Sequence, residues 1–335
     1  MPKTSHLLPG QRLEVCLGLD IAKAKFDACL LRGDQLHQAQ FDNTPGGVRQ
    51  LQAWCAKLGA PKVLTVLEAT GRYSELAATV LHADGHRVHL ANPRRIKDHA
   101  RSLGRRNKTD RLDAAIIASF GASRTLPAWQ PPSPAQQQLR SLLRRLSDLE
   151  SFLQAERNRR QSLSDPLIAK SLSRIERALA REIALLEAQV DDHLKASAQL
   201  HDELQRLCQI QGIGPRCARW LCAELPRHLP NARAAAAWLG VTPRLHHSGS
   251  SVRSTAPVGT EGNRHLRKVL FMAAMVARRF NPRLKAFADR LATNGKSKLA
   301  VIIAVLHKLT KIAFAILHSN SSYDPLHQPS LHPKI

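Results

Sequence analysis

The sequence predicts an α/β domain followed by an all-α region, two architectures within 335 residues. Three observations carry this expectation. Up to about residue 126, short apolar runs of strand length alternate with longer amphipathic segments. Pro127, Pro131, Pro132 and Pro134 then fall within eight residues, a stiff break that can carry neither helix interior nor central strand. Beyond it, leucine and isoleucine recur at spacings of three and four through two long segments.

In chain order, residues 15–19 read as a short buried strand ending at Asp20, and residues 25–31 as a second. Residues 35–42 form a third, more polar strand placed nearer a sheet edge. Asn43-Thr44-Pro45-Gly46-Gly47 breaks the chain before a helix over 48–58. A strand over 62–67 ending at Glu68, a helix over 74–83 and a strand over 87–90 follow. Three successive strands and then alternating helix and strand give a mixed sheet covered by helices, the order of a ribonuclease-H-like fold.

After a Pro-rich linker at 127–135, the stripe Leu139, Leu142, Leu146, Leu149, Leu153 and, past Pro166, Ile168, Leu172, Ile175, Leu179, Ile183, Leu186, Val190, Leu194 predicts two long helices. They form a central antiparallel coiled-coil hairpin over 136–200, or a dimerising coiled coil. Residues 201–318 read as helical, with a turn at Gly212-Ile213-Gly214-Pro215 and a polar loop over 241–263. The Gly-x-Gly turn is helix-hairpin-helix-like, either a phosphate-approaching turn through Gly212 and Gly214 or a plain connection. Residues 319–335 read as an unstructured tail.

Lys+Arg number 50 and Asp+Glu 26, a net charge of +24 with hydrophobic content at 43%. A folded protein with this excess calls for a polyanionic partner, nucleic acid first and an anionic membrane surface second. The late apolar run 300–306 stops at His307, so no transmembrane helix is expected. Arg12, Glu14 and Asp20 precede any signal-peptide core, and six cysteines without a CxxC pair argue against disulfides and structural zinc. The expectation is therefore a cytoplasmic protein. Aromatics at 4% disfavour binding by base stacking and favour phosphate contacts.

Asp20 and Glu68 end strands, and Asp110 and Asp113 lie three apart at a helix start, on one face. Each alone reads as a cap or a surface acid. Together, in an acid-poor chain, they read as an oxygen-only site for Mg²⁺ or Mn²⁺, because gathered carboxylates repel unless a cation lies among them. Paired ions of this kind clamp the attacking and leaving oxygens of a phosphodiester displacement. Eight cations within eighteen residues lead into Asp110, with Arg105, Arg106 and Lys108 closest before it, as a rail for a sugar-phosphate backbone. Downstream, the stretch Gly240 to Arg253 sets Ser248, Ser250 and Ser251 among cations. Arg244, Arg253, Arg264, Arg267 and Lys268 supply charge that neutralises a phosphate there. By composition alone this is a polar or phosphate-binding loop without chemistry.

Taken in order, GLDIAKAKFD around Asp20, LEATGRY around Glu68, NKTDRLDA around Asp110 and Asp113, IQGIGP, and AAWLGVTPRLHHSGSSVR followed by EGNRHLRKVLFMAAMVA resemble a known family. The chain is similar to the DEDD transposases of the insertion-sequence one-ten type, which include the Piv site-specific DNA invertases. The resemblance spans residues 15–317. It implies a RuvC-like ribonuclease-H fold at 1–126 bearing the carboxylates Asp20, Glu68, Asp110 and Asp113, then the coiled-coil hairpin, then a helical transposase domain with Ser248 as nucleophile. It further implies DNA cleavage and rejoining through a phosphoserine intermediate, Mg²⁺, a noncoding guide RNA, a homodimer or homotetramer, and no membrane partner. Many relatives carry a Ser-Lys pair where this chain has Thr260-Glu261, which leaves Arg264, Arg267 and Lys268 as phosphate contacts. A RuvC-like junction nuclease that uses only carboxylates and water is the alternative, with a catalytically inactive nucleic-acid binder and an actin-like nucleotide-binding enzyme behind it.

Overall fold

A computed structural model describes residues 15–69, 72–104, 110–163, 165–242, 244–248, 252–256 and 262–325. The chain divides into two compact units, Met1–Pro131 and Pro132–Ile335.

In the first unit, strands β1 (Cys16–Ile21), β2 (Lys25–Arg32) and β3 (Gln35–Asp42) form an antiparallel meander. Helix α1 (Pro45–Lys57) crosses to β4 (Leu64–Glu68), which pairs parallel with β1, and α2 (Arg72–Ala83) crosses to β5 (Arg87–Ala91), parallel to β4. The sheet order β3-β2-β1-β4-β5 places the polar β3 at an edge, as its composition predicts. This mixed sheet is the arrangement of a RuvC-like domain. Helix α3 (Pro93–Ser102) was not expected as a helix, because its sequence reads as a charge run. Only Ile96 and His99 of α3 are buried, while Arg94, Arg95, Lys97 and Arg101 are exposed.

Side-chain alternation divides the core into two layers. Leu17, Leu19, Phe26, Leu30, Leu67 and Val88 pack with Leu51 and Leu81 of α1 and α2 on one face. Cys16, Cys29, Leu64 and Val66 pack on the other face with helix α4 (Asp110–Ala122), through Ala114, Ile117 and Ala118. Helix α4 lies directly on β1 at Gly18, where a methyl group would overlap the backbone oxygen of Ala114 and nitrogen of Ala118. Three residues C-terminal to Ala118, Gly121 meets Cys16 and Val66, so α4 runs antiparallel to β1.

The expected linker at 127–135 belongs partly to each unit. Trp129 donates its backbone N–H to Val88 O at 2.7 Å and packs in the first core. Pro134 instead opens helix α5 (Pro134–Ser162), where proline fits the first turn and Ser133 forms a capping box with Gln136.

The second unit begins with α5 and α6 (Pro166–Ala196), which run antiparallel. Leu146 and Leu149 pack against Ile183 and Leu186, Arg160 Nε lies 2.9 Å from Glu176 Oε1, and His193 Nε2 lies 2.8 Å from Ala135 O. Helices α7 (Ala198–Cys208), α8 (Pro215–Glu224), α9 (Ala232–Leu239), α10 (Arg264–Phe280), α11 (Pro282–Thr293) and α12 (Lys298–Ser319) close around one core. By length and composition alone α12 could cross a bilayer, yet Val301, Val305, Leu306, Leu309, Ala313 and Phe314 form the centre of that core.

Two readings need correction. The loop expected over 241–263 contains a β-hairpin, β6 (Arg244–Ser248) and β7 (Val252–Ala256), which pair antiparallel. Five-residue strands with few β-branched residues carry too weak a local signal to reveal cross-strand pairing. The expected unstructured tail starts with fixed contacts: Tyr323 N–H donates to Gln209 Oε1 at 3.1 Å, and Asn281 Nδ2 donates to Tyr323 Oη at 2.8 Å. Residues 326–335 lie outside the described residues. All six cysteines are free, and burial raises the Cys29 thiol to about 11 and those of Cys55 and Cys217 to about 12. Such thiols stay protonated and are poor nucleophiles at neutral pH.

Gly18→Ala forces backbone against backbone and should destabilise the full chain by about 1–3 kcal/mol or more in urea unfolding. His99 generates a pH dependence. Its Nδ1 accepts from Arg124 at 3.3 Å and its Nε2 lies 3.3 Å from Ser119 Oγ, which holds the ring neutral. Burial, then the Arg124 charge, lower its pKa from 6.5 to about 4. The unfolded chain therefore binds this proton more readily, so the stability from neutral His99 is complete above pH 6.5 and is lost as pH falls towards 4. Thermal unfolding should show this loss, with a smaller fall for His99→Gln, which keeps one donor and one acceptor.

Candidate active site

The register of the first sheet decides where its carboxylates stand. Leu19 of β1 is level with Leu67 of β4, so the following residues, Asp20 and Glu68, occupy adjacent ends of parallel strands. Asp20 shares parity with Cys16 and Gly18, and Glu68 with Leu64 and Val66; both therefore lie on the face covered by α4. Because Ala114 sits on Gly18 and α4 runs antiparallel to β1, the α4 N-terminus comes to the same sheet edge. Asp113 precedes Ala114 there, half-buried like Asp20 and Glu68.

Asp110 is the first residue of α4, but its side chain lies outside the described residues, as do Arg105, Arg106 and Lys108. Among the described residues, no three of the His, Cys, Asp and Glu side chains gather closely enough to hold a metal ion. The chemistry of the donor set, half-buried carboxylate oxygens on one face, matches a hard divalent cation. The positions converge, while the described side chains do not close on a common point.

Sequence reasoning missed Asp27. This residue is the cross-strand partner of Asp20, lies on the same face, is 8% exposed, and accepts from Gln40 Nε2 at 3.3 Å. The signal was available in GLDIAKAKFD, since a tight turn at 22–24 brings the two aspartates level. A cavity of about 380 Å³ lined by Arg32, Lys62 and Arg87 opens at the opposite end of the sheet, around Val15 and Leu64. It is far along β1 and β4 from these carboxylates and has no part in their chemistry.

In the second unit, Ser248 is the last residue of β6, level with Val252 across the ribbon. Side chains along this ribbon, Arg244 and Arg253 included, lie outside the described residues. The base of the ribbon is tied to the helical core. Gly240 ends α9 in the left-handed conformation, with φ 80°. Gly262 has φ +94°, and a Cβ there would stand 2.6 Å from Gly240 N. Arg267 Nη1 donates to Gly240 O at 3.2 Å, so this side chain spans the base of the ribbon. Asn263 caps α10 through Leu266 N and donates to Glu224 Oε2 at 3.2 Å. Glu224 is buried and paired with Arg144 at 3.0 Å, so the α10 start is fastened to α5 and α8.

Arg264 and Lys268 are exposed on the first turns of α10. Beside them, His265 packs against the Trp220 ring at 3.9 Å between centroids, and its burial lowers its pKa, which the Glu224 charge opposes. Gly212 adopts φ +109° and abuts α10, where a Cβ would meet that of Ala277 at 2.5 Å, so packing alone requires glycine there. Gly214 precedes α8 with open space around its Cα and no side-chain cap.

A family model for IS110-type DEDD transposases matches residues 17–165, and one described as the transposase IS116/IS110/IS902 family matches residues 204–289. The pilin gene-inverting protein of Moraxella bovis is 31% identical over 314 residues, covering 92% of this chain and 97% of its own length. The chain belongs to the IS110 family of DEDD transposases. It is thus an enzyme of the DNA transposase and recombinase class. The pilin gene-inverting protein of Moraxella lacunata is equally similar, at 31% over 314 residues. A transposase for the insertion sequence element IS1111A from Coxiella burnetii is 24% identical over 92% of this chain and 90% of its own length. The first match of this IS110-family chain contains Asp20, Glu68, Asp110 and Asp113. The second contains Gly212, Gly214, Ser248 and the whole of α10. Helix α12 lies beyond both.

Substitution at the two turn glycines separates structural demand from open surface. Gly262→Ala should cost about 1–3 kcal/mol in denaturant unfolding, because the left-handed backbone and the Leu239–Gly240 segment both oppose a side chain. Gly214→Ala, with nothing near its Cα, should stay within about 0.5 kcal/mol of the parent.

Proposed function

We propose that this IS110-family enzyme cuts and rejoins the DNA of an insertion sequence through a covalent bond between Ser248 and a DNA phosphate. The observation that carries the reading is the β1–β4 register, which sets Asp20 beside Glu68 on the face where α4 delivers Asp113. The position of Ser248 at the end of a tied-down ribbon supports a nucleophile presented away from the helical core.

In this scheme Ser248 Oγ attacks a backbone phosphorus, an Oγ–P bond forms, and one P–O bond to a sugar oxygen breaks. The proton lost by the serine is balanced by the one that the released sugar hydroxyl gains. A hydroxyl from another strand then reverses the exchange. The number and type of ester bonds are conserved, so no nucleotide hydrolysis is needed. Asp20, Glu68, Asp110 and Asp113 would hold Mg²⁺, with Mn²⁺ as an alternative, and the bound ion supplies charge neutralisation and polarisation at the phosphate. Arg244, Arg253, Arg264 and Lys268 are assigned to the phosphate backbone, as are Arg105, Arg106 and Lys108. The contact made by Arg267 assigns it instead to holding the ribbon base.

The family resemblance supports a noncoding guide RNA and action on DNA in a bacterial cytoplasm. Exposed Phe152, Ile168, Ile175 and Leu185 on the α5–α6 pair support a homodimer or homotetramer. The gene-inverting activity named for the Moraxella relatives is a rearrangement of the same class, and supports recombination over simple nicking.

The test incubates the purified protein with Mg²⁺, DNA carrying the element junction and total host RNA, then isolates protein linked to DNA and maps the attachment. An adduct at Ser248 that is lost in Ser248→Ala is expected, with strand exchange falling by at least about 10³-fold and DNA affinity retained. Asp20→Ala should fail equally in strand exchange. Free nicked DNA in equal yield from Ser248→Ala would replace this reading with a carboxylate nuclease acting without a covalent intermediate.

A further inference from the structure

We propose that Arg290, Lys308 and Lys311, on the outer face of α11 and α12, form a binding surface for the phosphate backbone of duplex DNA, separate from the serine ribbon. Helices α11 and α12 carry Arg283, Lys285, Arg290, Lys298, Lys308 and Lys311 against a single carboxylate, Asp289. Lys308 is half-buried, with its ammonium 3.8 Å from the centroid of the Phe287 ring, and the Arg290 guanidinium lies 5.7 Å from the same ring.

The charges acting on Lys308 are all cationic. Burial first, then Arg283, Arg290 and Lys311, lower its pKa, and Lys311 and Lys308 also lower that of His307. Among the described residues no carboxylate pairs with Arg290, Lys308 or Lys311. Several arginines elsewhere in this unit do meet carboxylates: Arg144 with Glu224, Arg160 with Glu176, Arg216 with Glu150, Arg227 with Glu203. Holding like charges together without a partner costs free energy that an arriving polyanion recovers, together with the entropy of released counterions.

The scaffold beneath the cluster is rigid, because α12 buries its opposite face in the core and Leu284 and Ala288 fix α11 against it. Duplex DNA is favoured over single strands by the aromatic ring itself. Phe287 is taken up by Lys308 and Arg290, which leaves no free platform for stacking an unpaired base. The proposal shares only the DNA substrate with the proposed function and needs neither Ser248 nor the carboxylates.

The experiment measures the dissociation constant of the full chain for a duplex DNA, and separately for a folded RNA, across a salt series. For the double variant Arg290→Gln/Lys311→Gln, the slope of log affinity against log salt should fall by about 2, one for each phosphate contact removed, and equally for unrelated duplex sequences. Lys308→Met keeps the packing on Phe287 and should lower the slope by about 1 while its thermal unfolding matches the parent. An unchanged slope for duplex DNA in folded variants would overturn the proposal, as would a loss confined to the RNA. Adduct formation at Ser248 reads the chemistry independently, so either assignment can fail alone.

Discussion

The contact of α4 with β1 at Gly18 governs the geometry of the first unit. Two backbones approach so closely there that a methyl group has no room, which fixes both the height and the direction of α4 over the sheet. That contact turns three separate acidic positions into neighbours. Asp20 and Glu68 are brought level by hydrogen bonding between β1 and β4, but Asp113 joins them only because Ala114 rests on Gly18 and the helix points its N-terminus at the strand ends. A side chain at Gly18 would lift the helix and separate Asp113 from the strands without altering any carboxylate.

The serine ribbon obeys a similar constraint in the second unit. Gly240 and Gly262 are in left-handed backbone conformations and nearly in contact, and Arg267 and Asn263 carry that junction into the helical core. Buried Glu224 is the hub: desolvated carboxylates are costly when alone, and this one is satisfied by Arg144 and Asn263 from two other elements. Arginines that a sequence reading assigns to phosphate thus divide by contact. Arg267 is committed inward, whereas Arg264 and Lys268 face outward.

Charge is distributed by the same logic. Ion pairs hold the helices of the second unit where cations meet carboxylates, and among the described residues Arg290, Lys308 and Lys311 of α11 and α12 meet none.

Much of this was legible in the sequence. Strand and helix periodicities placed β1 to β5 within one or two residues, the polarity of β3 marked it as an edge, and the family motifs stood in order. Asp20, Glu68, Asp110 and Asp113 were candidates because their residue types and spacing carry chemistry, whereas Ser248 was a candidate only through the family resemblance. What periodicity does not encode is pairing across distance. The level placement of Asp27 with Asp20, the β6–β7 ribbon in a stretch read as loop, the return of Tyr323 to Gln209 and the inward commitment of Arg267 all depend on contacts between residues far apart in the chain. Local patterns fix which residues form an element and which face is apolar; only packed backbones and buried hydrogen bonds decide which residues meet.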